Sequence, residues 1–547
     1  MSTEDQNRCV VTLKKGIDTD KFMEDMKSAG YELHNEKKDS ISNFDYVLSK
    51  DQAASLLSTD DRIIDIRYGS KKENGFLPVA NALQEIVPFH KDPTIAGANW
   101  GLPASSFDND PWGGLSVVAD LQVPFTLTGK DVDIVIMDSG MQPDHPEWKD
   151  TPLTQLSGGN TVGTTRYQTV DWPVISGQQA SYTQHAQYHR DLTGHGTHVA
   201  GIAAGKLNGW AKEANLYSLK ILDDPTTAFG VSAAFNMLRH WHASKKAANT
   251  TNDSVPNIPT ICNMSWGYVG TNTRTMTGLR WRNNNFSGSN GDIGTGSLRQ
   301  YGLMNTEADN DGYWRYPVRI SSVESDIQDC IDAGIILVGA AGNYTYQVDL
   351  PGGIDYDNYF LYTGWDAGAG NLGVPNQVQY YHRGATPVSQ PGVICVGAID
   401  TSYTANKENI ATYSNRGPRL DVLAPGSGIM SAISQSPSAT IGFGAIPYTL
   451  DTTYLVNKLN GTSMAAPQVT GIITLLMGLR HNLNNTPTKE EALEFITSNA
   501  ELNRMHDATT GTPSTDYQAS YALHGAPNRF LKQPFNSRIA ARYGNPV

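Results

Sequence analysis

Short, continuous apolar runs recur through the middle of the chain, and helical patterns follow them. The runs are VDIVIMD (132–138), NLYSLKIL (215–222), TICNMSW (260–266), IILVGAAG (335–342) and GVICVGAI (392–399). Half-exposed strands alternate apolar and polar residues, whereas strands buried on both faces are apolar throughout. We therefore predict an α/β domain of three layers, with a mostly parallel central sheet covered by helices on both sides.

The N-terminal part of the chain shows the pattern of a small α+β unit. Strand-like segments at 9–16, 44–49 and 62–69 alternate with helical segments at 19–33 and 51–60. Residues 1–69 are therefore predicted to form a separate, ferredoxin-like unit. Residues 70–98 mix lysine, glycine and proline with short apolar pieces, which is typical of a linker.

The remaining sequence divides into one large domain and an extension. A chain of 547 residues is long enough for two or three folding units. We assign residues 99–505 to the large domain and 506–547, where apolar periodicity is lost, to a C-terminal extension. The segments 268–322 and 344–390 are rich in Gly, Asn, Asp, Tyr and Thr, and we interpret them as long surface insertions.

Composition narrows the functional classes. The net charge is −13 and basic residues do not cluster, which disfavours nucleic-acid binding. The apolar stretch Gly471–Leu479 is too short to span a membrane. The polar start, Met1–Arg8, resembles no secretory signal, so we expect a cytoplasmic or particle-packaged protein, or a secreted one whose signal has been removed. The four cysteines lack metal-ligand spacing, and Cys262 and Cys395 are expected to be buried thiols.

Three glycine-flanked segments carry candidate chemistry. Asp138 follows an apolar strand and precedes a Ser-Gly turn, at the strand end where catalytic groups gather in α/β sheets. His195 lies in DLTGHGTHVAG at the exposed start of a predicted helix, where an imidazole can exchange protons near neutral pH. Ser463 lies in NGTSMAAP at the start of a long apolar helix, whose N–H groups favour a developing oxyanion. Taken singly, the aspartate is explained as a turn residue and the serine as an N-cap.

A metal site is the alternative interpretation of the histidines. His185, His189, His195 and His198 fall within fourteen positions. The segment HGTH lacks the glutamate of the HExxH zinc motif, so we predict no metal ligands here. His198 is expected to pack or hydrogen-bond within its helix, and His145 to belong to a turn.

Together, MDSG, GHGTHVAG and GTSMAAP resemble, in order, the three motifs of the subtilisin family of serine peptidases. The resemblance extends from about Asn99 to about Ala500 and implies a subtilisin-like fold with endopeptidase activity on protein or peptide substrates. Ser463 is then the nucleophile, His195 the general base and Asp138 its orienting carboxylate. No cofactor is implied for the chemistry, although structural calcium is common in the family.

Two further segments are similar to the family. IILVGAAGN places the oxyanion-hole asparagine at Asn343, which also begins an Asn-Tyr-Thr glycosylation sequon whose use would block the site. CNMSWG resembles the substrate-binding edge, where backbone groups of Ser265, Trp266 and Gly267 would pair with an extended peptide. Ala341 and Gly342 are also expected to bind substrate, and the opposite edge of the cleft is expected around 227–230. Trp266 stands where the family often has leucine, which implies a more aromatic or a more crowded pocket.

The N-terminal unit resembles the inhibitory propeptide of such peptidases. The resemblance implies a pro-domain that assists folding and then inhibits the site. It also implies self-cleavage in the linker, and Phe76–Leu77 lies at a plausible distance along the chain for that cleavage. Two alternatives remain: a catalytically silenced scaffold or binding protein held by its pro-domain, and a metal-dependent hydrolase using the histidine cluster.

Overall fold

The secondary structure comes from a computed structural model. It describes residues 8–14, 16–33, 43–68, 76–78, 99–106, 127–149, 154–155, 161–162, 165–250, 258–272, 276–287, 301–303, 314–362, 377–448, 451–482, 486–507 and 522–534. The helices are α1 (Thr19–Ser28), α2 (Lys50–Thr59), α3 (Gly101–Ser106), α4 (Trp172–Ile175), α5 (His195–Ala204), α6 (Val231–Thr250), α7 (Ser321–Asp332), α8 (Ala439–Gly442), α9 (Thr462–Asn482) and α10 (Lys489–Asn499), with a 3₁₀ helix at Pro146–Trp148.

The strands are β1 (Arg8–Leu13), β2 (Glu32–Leu33), β3 (Asn43–Val47), β4 (Ile63–Tyr68), β5 (Phe76–Pro78), β6 (Asp133–Asp138), β7 (Thr154–Gln155), β8 (Thr161–Val162), β9 (Asn215–Lys220), β10 (Thr260–Met264), β11 (Trp266–Asn272), β12 (Met276–Trp281), β13 (Asn284–Ser287), β14 (Trp314–Pro317), β15 (Ile336–Ala340), β16 (Tyr359–Tyr362), β17 (Gln377–Tyr380), β18 (Ile394–Thr404), β19 (Lys407–Ile410), β20 (Val422–Pro425), β21 (Ile429–Ile433), β22 (Ile446–Tyr448), β23 (Asp451–Leu459), β24 (Glu501–Leu502) and β25 (Arg529–Phe530).

The N-terminal unit is a four-stranded antiparallel sheet in the order β2-β3-β1-β4. With α1 after β1 and α2 after β3, it has the βαββαβ arrangement of a ferredoxin-like fold. Helix α1 ends earlier than the predicted 19–33 because the chain turns at Gly30, where φ is +82°. This leaves Glu32 and Leu33 free to form β2, which the pattern did not predict. The sheet packs against α7 of the large domain.

The central sheet has the order β24-β25-β20-β18-β15-β10-β6-β9. Neighbours from β25 to β9 are parallel, whereas β24 pairs antiparallel with β25 and β19 with β18. Strands β6, β10, β15 and β20 are buried along their whole length, as strands covered on both faces must be. The predicted α/β fold with a mostly parallel central sheet is confirmed.

Helix α9 is the central helix of the large domain. It packs against β10, β15, β18 and β20 of the central sheet and against α5. Residues 462–481 are long and apolar enough to cross a membrane, but 94% of the apolar window is buried inside the protein. This burial is typical of a core helix.

The two insertions contribute strands to one further sheet. Its order is β13-β12-β16-β17, so β12 and β13 come from the first insertion and β16 and β17 from the second. Met276, Leu279, Phe360 and Tyr381 belong to a separate apolar core beneath it. The strands are short and lie between glycine- and asparagine-rich segments, which is why their periodicity is hard to detect in the sequence.

The predicted C-terminal extension contributes to the central sheet. Phe530 of β25 pairs with Leu423 of β20, and the side chains of Phe530 and Leu531 are fully buried. Residues 522–534 are thus packed into the large domain rather than separate from it.

Arg166 closes the C-terminal end of α5. Its guanidinium donates hydrogen bonds to the carbonyl oxygens of Ala204, Glu147 and Ala214 at 2.7, 2.9 and 3.0 Å. Ala204 is the last residue of α5, so the positive charge lies at the negative end of the helix dipole and satisfies a carbonyl group that has no partner within the helix.

Candidate active site

The three predicted catalytic residues lie on three different elements. Asp138 is the last residue of β6, His195 is the first residue of α5 and Ser463 is the second residue of α9. β6 and β10 are adjacent parallel strands, and α5 and α9 pack against each other. Carboxyl ends of parallel strands meet at one edge of a sheet, which is where α/β proteins place their sites.

Asp138 and His195 form a direct hydrogen bond. The distance from Asp138 Oδ1 to His195 Nδ1 is 2.7 Å, and both side chains are fully buried. Because the carboxylate accepts from Nδ1, the other ring nitrogen, Nε2, is left as the basic atom. Burial by itself lowers the pKa of His195, but the charge of Asp138 and the hydrogen bond to it raise that pKa above its ordinary value of 6.5.

His195 was expected at the exposed start of its helix, and this expectation is wrong. The histidine does begin α5, but it is fully buried. Pro437, just before α8, and Ile441, within α8, pack on the preceding glycine: a Cβ added to Gly194 would lie 3.0 Å from Pro437 Cβ and 3.2 Å from Ile441 Cγ2. A helix start that another loop covers in this way is not exposed, and a local sequence pattern cannot report that loop.

Ser463 is buried at the N-terminus of α9. Its hydroxyl donates to the carbonyl oxygen of Ser265 at 3.1 Å, and the Ser463 carbonyl accepts from Ser265 Oγ at 2.9 Å. Within the part of the chain that the structure describes, Nε2 of His195 has no hydrogen-bond partner. The serine–histidine bond of a complete relay is therefore not formed in this arrangement.

Asn343 presents a buried amide next to the nucleophile. Its Oδ1 accepts from the backbone N and from Oγ1 of Thr462, at 2.9 and 2.8 Å, which fixes the orientation of the side chain. Its Nδ2 is buried and has no partner among the described residues. A buried donor without a partner is unfavourable and is a suitable contact for an incoming oxygen.

The predicted substrate-binding residues Ala341 and Gly342 are held by contacts that the sequence did not suggest. Asn415 donates from Nδ2 to the Ala341 carbonyl oxygen at 2.8 Å. Gly342 has a φ of +111°, and a Cβ there would come within 2.3 Å of Asn415 Nδ2. The Gly342 N–H also donates to Thr462 Oγ1 at 3.1 Å. Only glycine fits this position.

The predicted substrate edge is occupied by a strand of the same chain. β5 pairs antiparallel with β11, with Phe76 opposite Tyr268, Leu77 opposite Gly267 and Pro78 opposite Trp266. This is the strand addition expected of an extended peptide at this edge. The expected opposite edge, 227–230, lies in the irregular segment after β9 and belongs to no strand, although its Phe229 N–H donates to the carbonyl oxygen of Lys220 at 2.9 Å.

Trp266 fills space behind the edge. Its ring is fully buried and lies 6.3 Å from Phe235 and 6.0 Å from Tyr268, measured between ring centroids. The indole therefore packs into the main core. The aromatic ring predicted for the pocket lies beneath the substrate edge and is not exposed at its surface.

Asp191 is a residue that the sequence analysis missed. Its Oδ1 accepts from Ser139 Oγ at 2.9 Å and from the Gly194 N–H at 2.8 Å, while its Oδ2 accepts from the Thr197 N–H at 2.9 Å. It thereby ties the turn after Asp138 to the start of α5. A detectable signal was present, because an aspartate just before a helix start is a typical capping residue.

The histidines do not form a metal site in the described part of the chain. No group of three or more His, Cys, Asp or Glu side chains there could hold a metal ion. Nε2 of His198 lies 3.0 Å from the carbonyl oxygen of Asn457, which is outside the helix of His198. Burial lowers the pKa of His198 to about 3. His145 caps the 3₁₀ helix by accepting from the Glu147 N–H. Structural calcium remains a prediction.

An aspartate, a histidine and a serine lie at the edge of a mostly parallel sheet, beside a buried amide, and these are the groups that serine hydrolases use. Comparison with known families agrees: the model of the subtilase family, Peptidase_S8, matches residues 129–520. The chain belongs to the subtilase family.

Individual relatives are distant. Alkaline protease 1 of Aspergillus clavatus is 24% identical over 408 residues, which cover 74% of this chain and 64% of that protein, so the match spans less than two thirds of it. Subtilisin-like proteinase Mp1 of Magnaporthiopsis poae is 23% identical over 95% of this chain and 92% of its own length. The solved structure of fervidolysin from Fervidobacterium pennivorans, a keratinolytic enzyme related to subtilisin, is 17% identical with a TM-score of 0.48, covering 96% of this chain and 60% of that one.

Proposed function

We propose that the protein is a serine endopeptidase that hydrolyses peptide bonds of protein or peptide substrates through an acyl-enzyme intermediate. The observation that carries the proposal is the 2.7 Å bond between Asp138 and His195, both fully buried, together with Ser463 at a helix N-terminus beside Nδ2 of Asn343, which has no partner among the described residues. The Aspergillus clavatus and Magnaporthiopsis poae relatives are named as a protease and a proteinase, which supports the same class.

The proposed reaction begins with a rotation of the Ser463 hydroxyl from Ser265 to Nε2 of His195. His195 takes the proton while the serine oxygen bonds to the scissile carbonyl carbon, and Asp138 stabilises the resulting imidazolium without accepting the proton. The oxyanion is bound by Nδ2 of Asn343 and the N–H of Ser463. The C–N bond then breaks, His195 protonates the leaving amine, and water repeats the sequence on the ester.

Replacement of the nucleophile tests this function. We expect Ser463→Ala to lower kcat by about 10⁶-fold, the order of loss seen when the serine is removed from subtilisin itself. The measurement is hydrolysis of a peptide library, with circular dichroism to show that the fold is kept. Ser498→Ala on α10 is a matched control that should hydrolyse normally. Undiminished turnover of Ser463→Ala would refute the assignment.

We further propose that residues 1–69 act as an inhibitory pro-domain and that the enzyme cleaves itself in the linker. β5 runs toward Ser463 and ends at Pro78, opposite Trp266. One position further along, a bound residue would lie opposite Ser265, whose carbonyl accepts from the Ser463 hydroxyl. Cleavage is therefore proposed after Val79 rather than at Phe76–Leu77.

N-terminal sequencing of the processed protein tests the cleavage site. We expect processed protein to begin at Ala80, and the Ser463→Ala variant to remain uncleaved. A start upstream of Ser70 or beyond Asn99 would contradict self-cleavage in this segment. A start at Leu77 would place the cut at the earlier position.

A silenced scaffold held by its pro-domain is the second candidate. It is favoured by one observation: the Ser463 hydroxyl bonds to Ser265 while Nε2 of His195 has no described partner. A serine-directed phosphonate separates the two, because it labels Ser463 only if His195 activates it. Loss of activity in chelator without phosphonate sensitivity would instead indicate a metal-dependent hydrolase.

A further inference from the structure

A loop before the nucleophile covers the histidine side of the site. We call residues 436–448, which include α8 and β22, the histidine-side loop. Its Ser438 N–H donates to the carbonyl oxygen of Thr193 at 3.2 Å, and its Pro437 and Ile441 pack on Gly194. The loop thus lies on the two residues that immediately precede His195.

The histidine-side loop is also fixed to the chain that leads to Ser463. Asn457 of β23 donates from Nδ2 to the carbonyl oxygens of Ile441 and Phe443. Nε2 of His198 on α5 lies 3.0 Å from the carbonyl oxygen of Asn457. β23 ends four residues before Ser463. The loop is therefore bound both to the start of α5, which carries His195, and to β23, which leads to Ser463. It forms a fixed wall of the site.

Phe443 is the exposed apolar residue of this wall. Its backbone is held by Asn457, yet the residue is 63% exposed, whereas Ile441 two positions earlier is 6% exposed. A single exposed apolar residue needs no explanation by itself. Here, however, the backbone is anchored beside the reacting groups while the ring is left to solvent.

The direction of β5 shows which part of a substrate approaches this wall. β5 runs from Tyr268 toward Ser265 along β11, so a peptide bound in the same way reaches Ser463 and then leaves β11. In the proposed reaction, His195 protonates the leaving amine, so the residues after the scissile bond must pass on its side. The loop that packs on Thr193 and Gly194 is on the histidine side, so it is the segment that those residues would approach.

We propose that the histidine-side loop binds the leaving half of the peptide substrate, with Phe443 as the contact for an apolar side chain among the first three residues after the scissile bond. This rests on the proposed peptidase function and adds to it a preference for apolar residues on that side. The occupant is a substrate segment rather than a separate partner, because the loop packs on the two residues before His195, and β5 shows that an extended strand runs toward the same site.

Two substrate types test the assignment. One is a peptidyl p-nitroanilide, which has no residue beyond the scissile bond. The other is a pair of quenched fluorescent peptides that share the residues before the bond and carry either leucine and phenylalanine or serine and glycine after it. We expect Phe443→Ser to lower kcat/KM about tenfold for the apolar peptide and to leave the polar peptide and the p-nitroanilide nearly unchanged.

Leu502→Ser is the matched control, because Leu502 is also 63% exposed but lies on β24 at the far edge of the central sheet. Partitioning of the acyl-enzyme between water and leucinamide gives a second measurement, and Phe443→Ser should reduce the share captured by leucinamide. Equal losses on all substrates, or an apolar preference unchanged from wild type, would overturn this inference while leaving the peptidase function standing. A wild-type protein with no phosphonate-sensitive hydrolysis would overturn the peptidase function itself.

Discussion

The two sides of the candidate site differ in what their reacting groups bond to. On the base side, two predicted catalytic side chains bond to each other: Asp138 Oδ1 accepts from His195 Nδ1 and from the Ser139 N–H, both at 2.7 Å, while Asp138 Oδ2 and His195 Nε2 have no described partner. On the oxyanion side, Asn343 is held by Thr462 through its oxygen, while its Nδ2 has no described partner.

The difference indicates that the two sides would contribute in different ways. The base side works through charge, since the carboxylate sets both the tautomer and the proton affinity of the imidazole before substrate arrives. The oxyanion side holds a buried donor in position at the cost of leaving it unsatisfied, and only a negatively charged oxygen would satisfy it fully. Variants on the two sides should therefore have different kinetic signatures.

The largest effect is expected on the base side. Asp138→Asn should lower kcat by about 10⁴-fold, because the amide no longer enforces the tautomer that leaves Nε2 basic. Removal of the corresponding carboxylate from subtilisin has an effect of this order. Steady-state kinetics with a p-nitroanilide measures the loss. A decrease of less than tenfold would show that the Asp138–His195 bond has no catalytic role.

A variant on the oxyanion side should show a smaller fall in kcat. Asn343→Leu removes the unpartnered donor and should lower kcat by about 10²–10³-fold with little change in KM, a size known from the equivalent change in subtilisin. Asn499→Leu, on the surface end of α10, is a control that should leave kcat unchanged. A rise in KM without a fall in kcat would contradict this expectation. It would mean that Asn343 binds the ground state of the substrate as strongly as the transition state.

The pH profile separates the two sides directly. Only neutral His195 can act as base, and its pKa is raised above 6.5, so kcat/KM should fall about tenfold per pH unit below a midpoint that lies above pH 6.5. In Asp138→Asn the raising charge is gone and burial dominates, so the midpoint should move to lower pH. In Asn343→Leu the midpoint should stay in place. A shift of equal size in both variants would contradict the division into two sides.

A smaller effect is expected on the free energy of unfolding, through His145, a buried histidine next to a backbone carbonyl group. Burial lowers the pKa of His145 to about 4, and its Nε2 lies 3.1 Å from the carbonyl oxygen of Leu455. Between pH 6.5 and 4 the unfolded chain holds a proton that the folded chain lacks, so acid should destabilise the fold by up to about 1.4 kcal/mol per pH unit through this residue.

Urea unfolding from pH 4.5 to 7 measures this dependence. His145→Gln should reduce the slope of unfolding free energy against pH, whereas replacement of the exposed His185 by glutamine should not. An unchanged slope in His145→Gln would show that its burial has no energetic consequence in acid.

Much of this arrangement could be predicted from the sequence. The apolar runs predicted the buried parallel strands, and three motif segments predicted which strand and helix ends carry Asp138, His195 and Ser463. The contacts that orient these residues could not be predicted in this way. Asn415 reaches Ala341 across more than seventy residues, and the cover over Gly194 comes from a loop more than two hundred residues further along. Such contacts depend on tertiary packing, which local periodicity does not encode.

Arg166 gives the histidine helix a counter-ion that is covalently part of the chain. A bound metal ion is lost when its free concentration falls below its dissociation constant, whereas a guanidinium cannot dissociate and stays charged at any physiological pH. The helix that begins at His195 therefore keeps its terminal positive charge on dilution and in the presence of chelators.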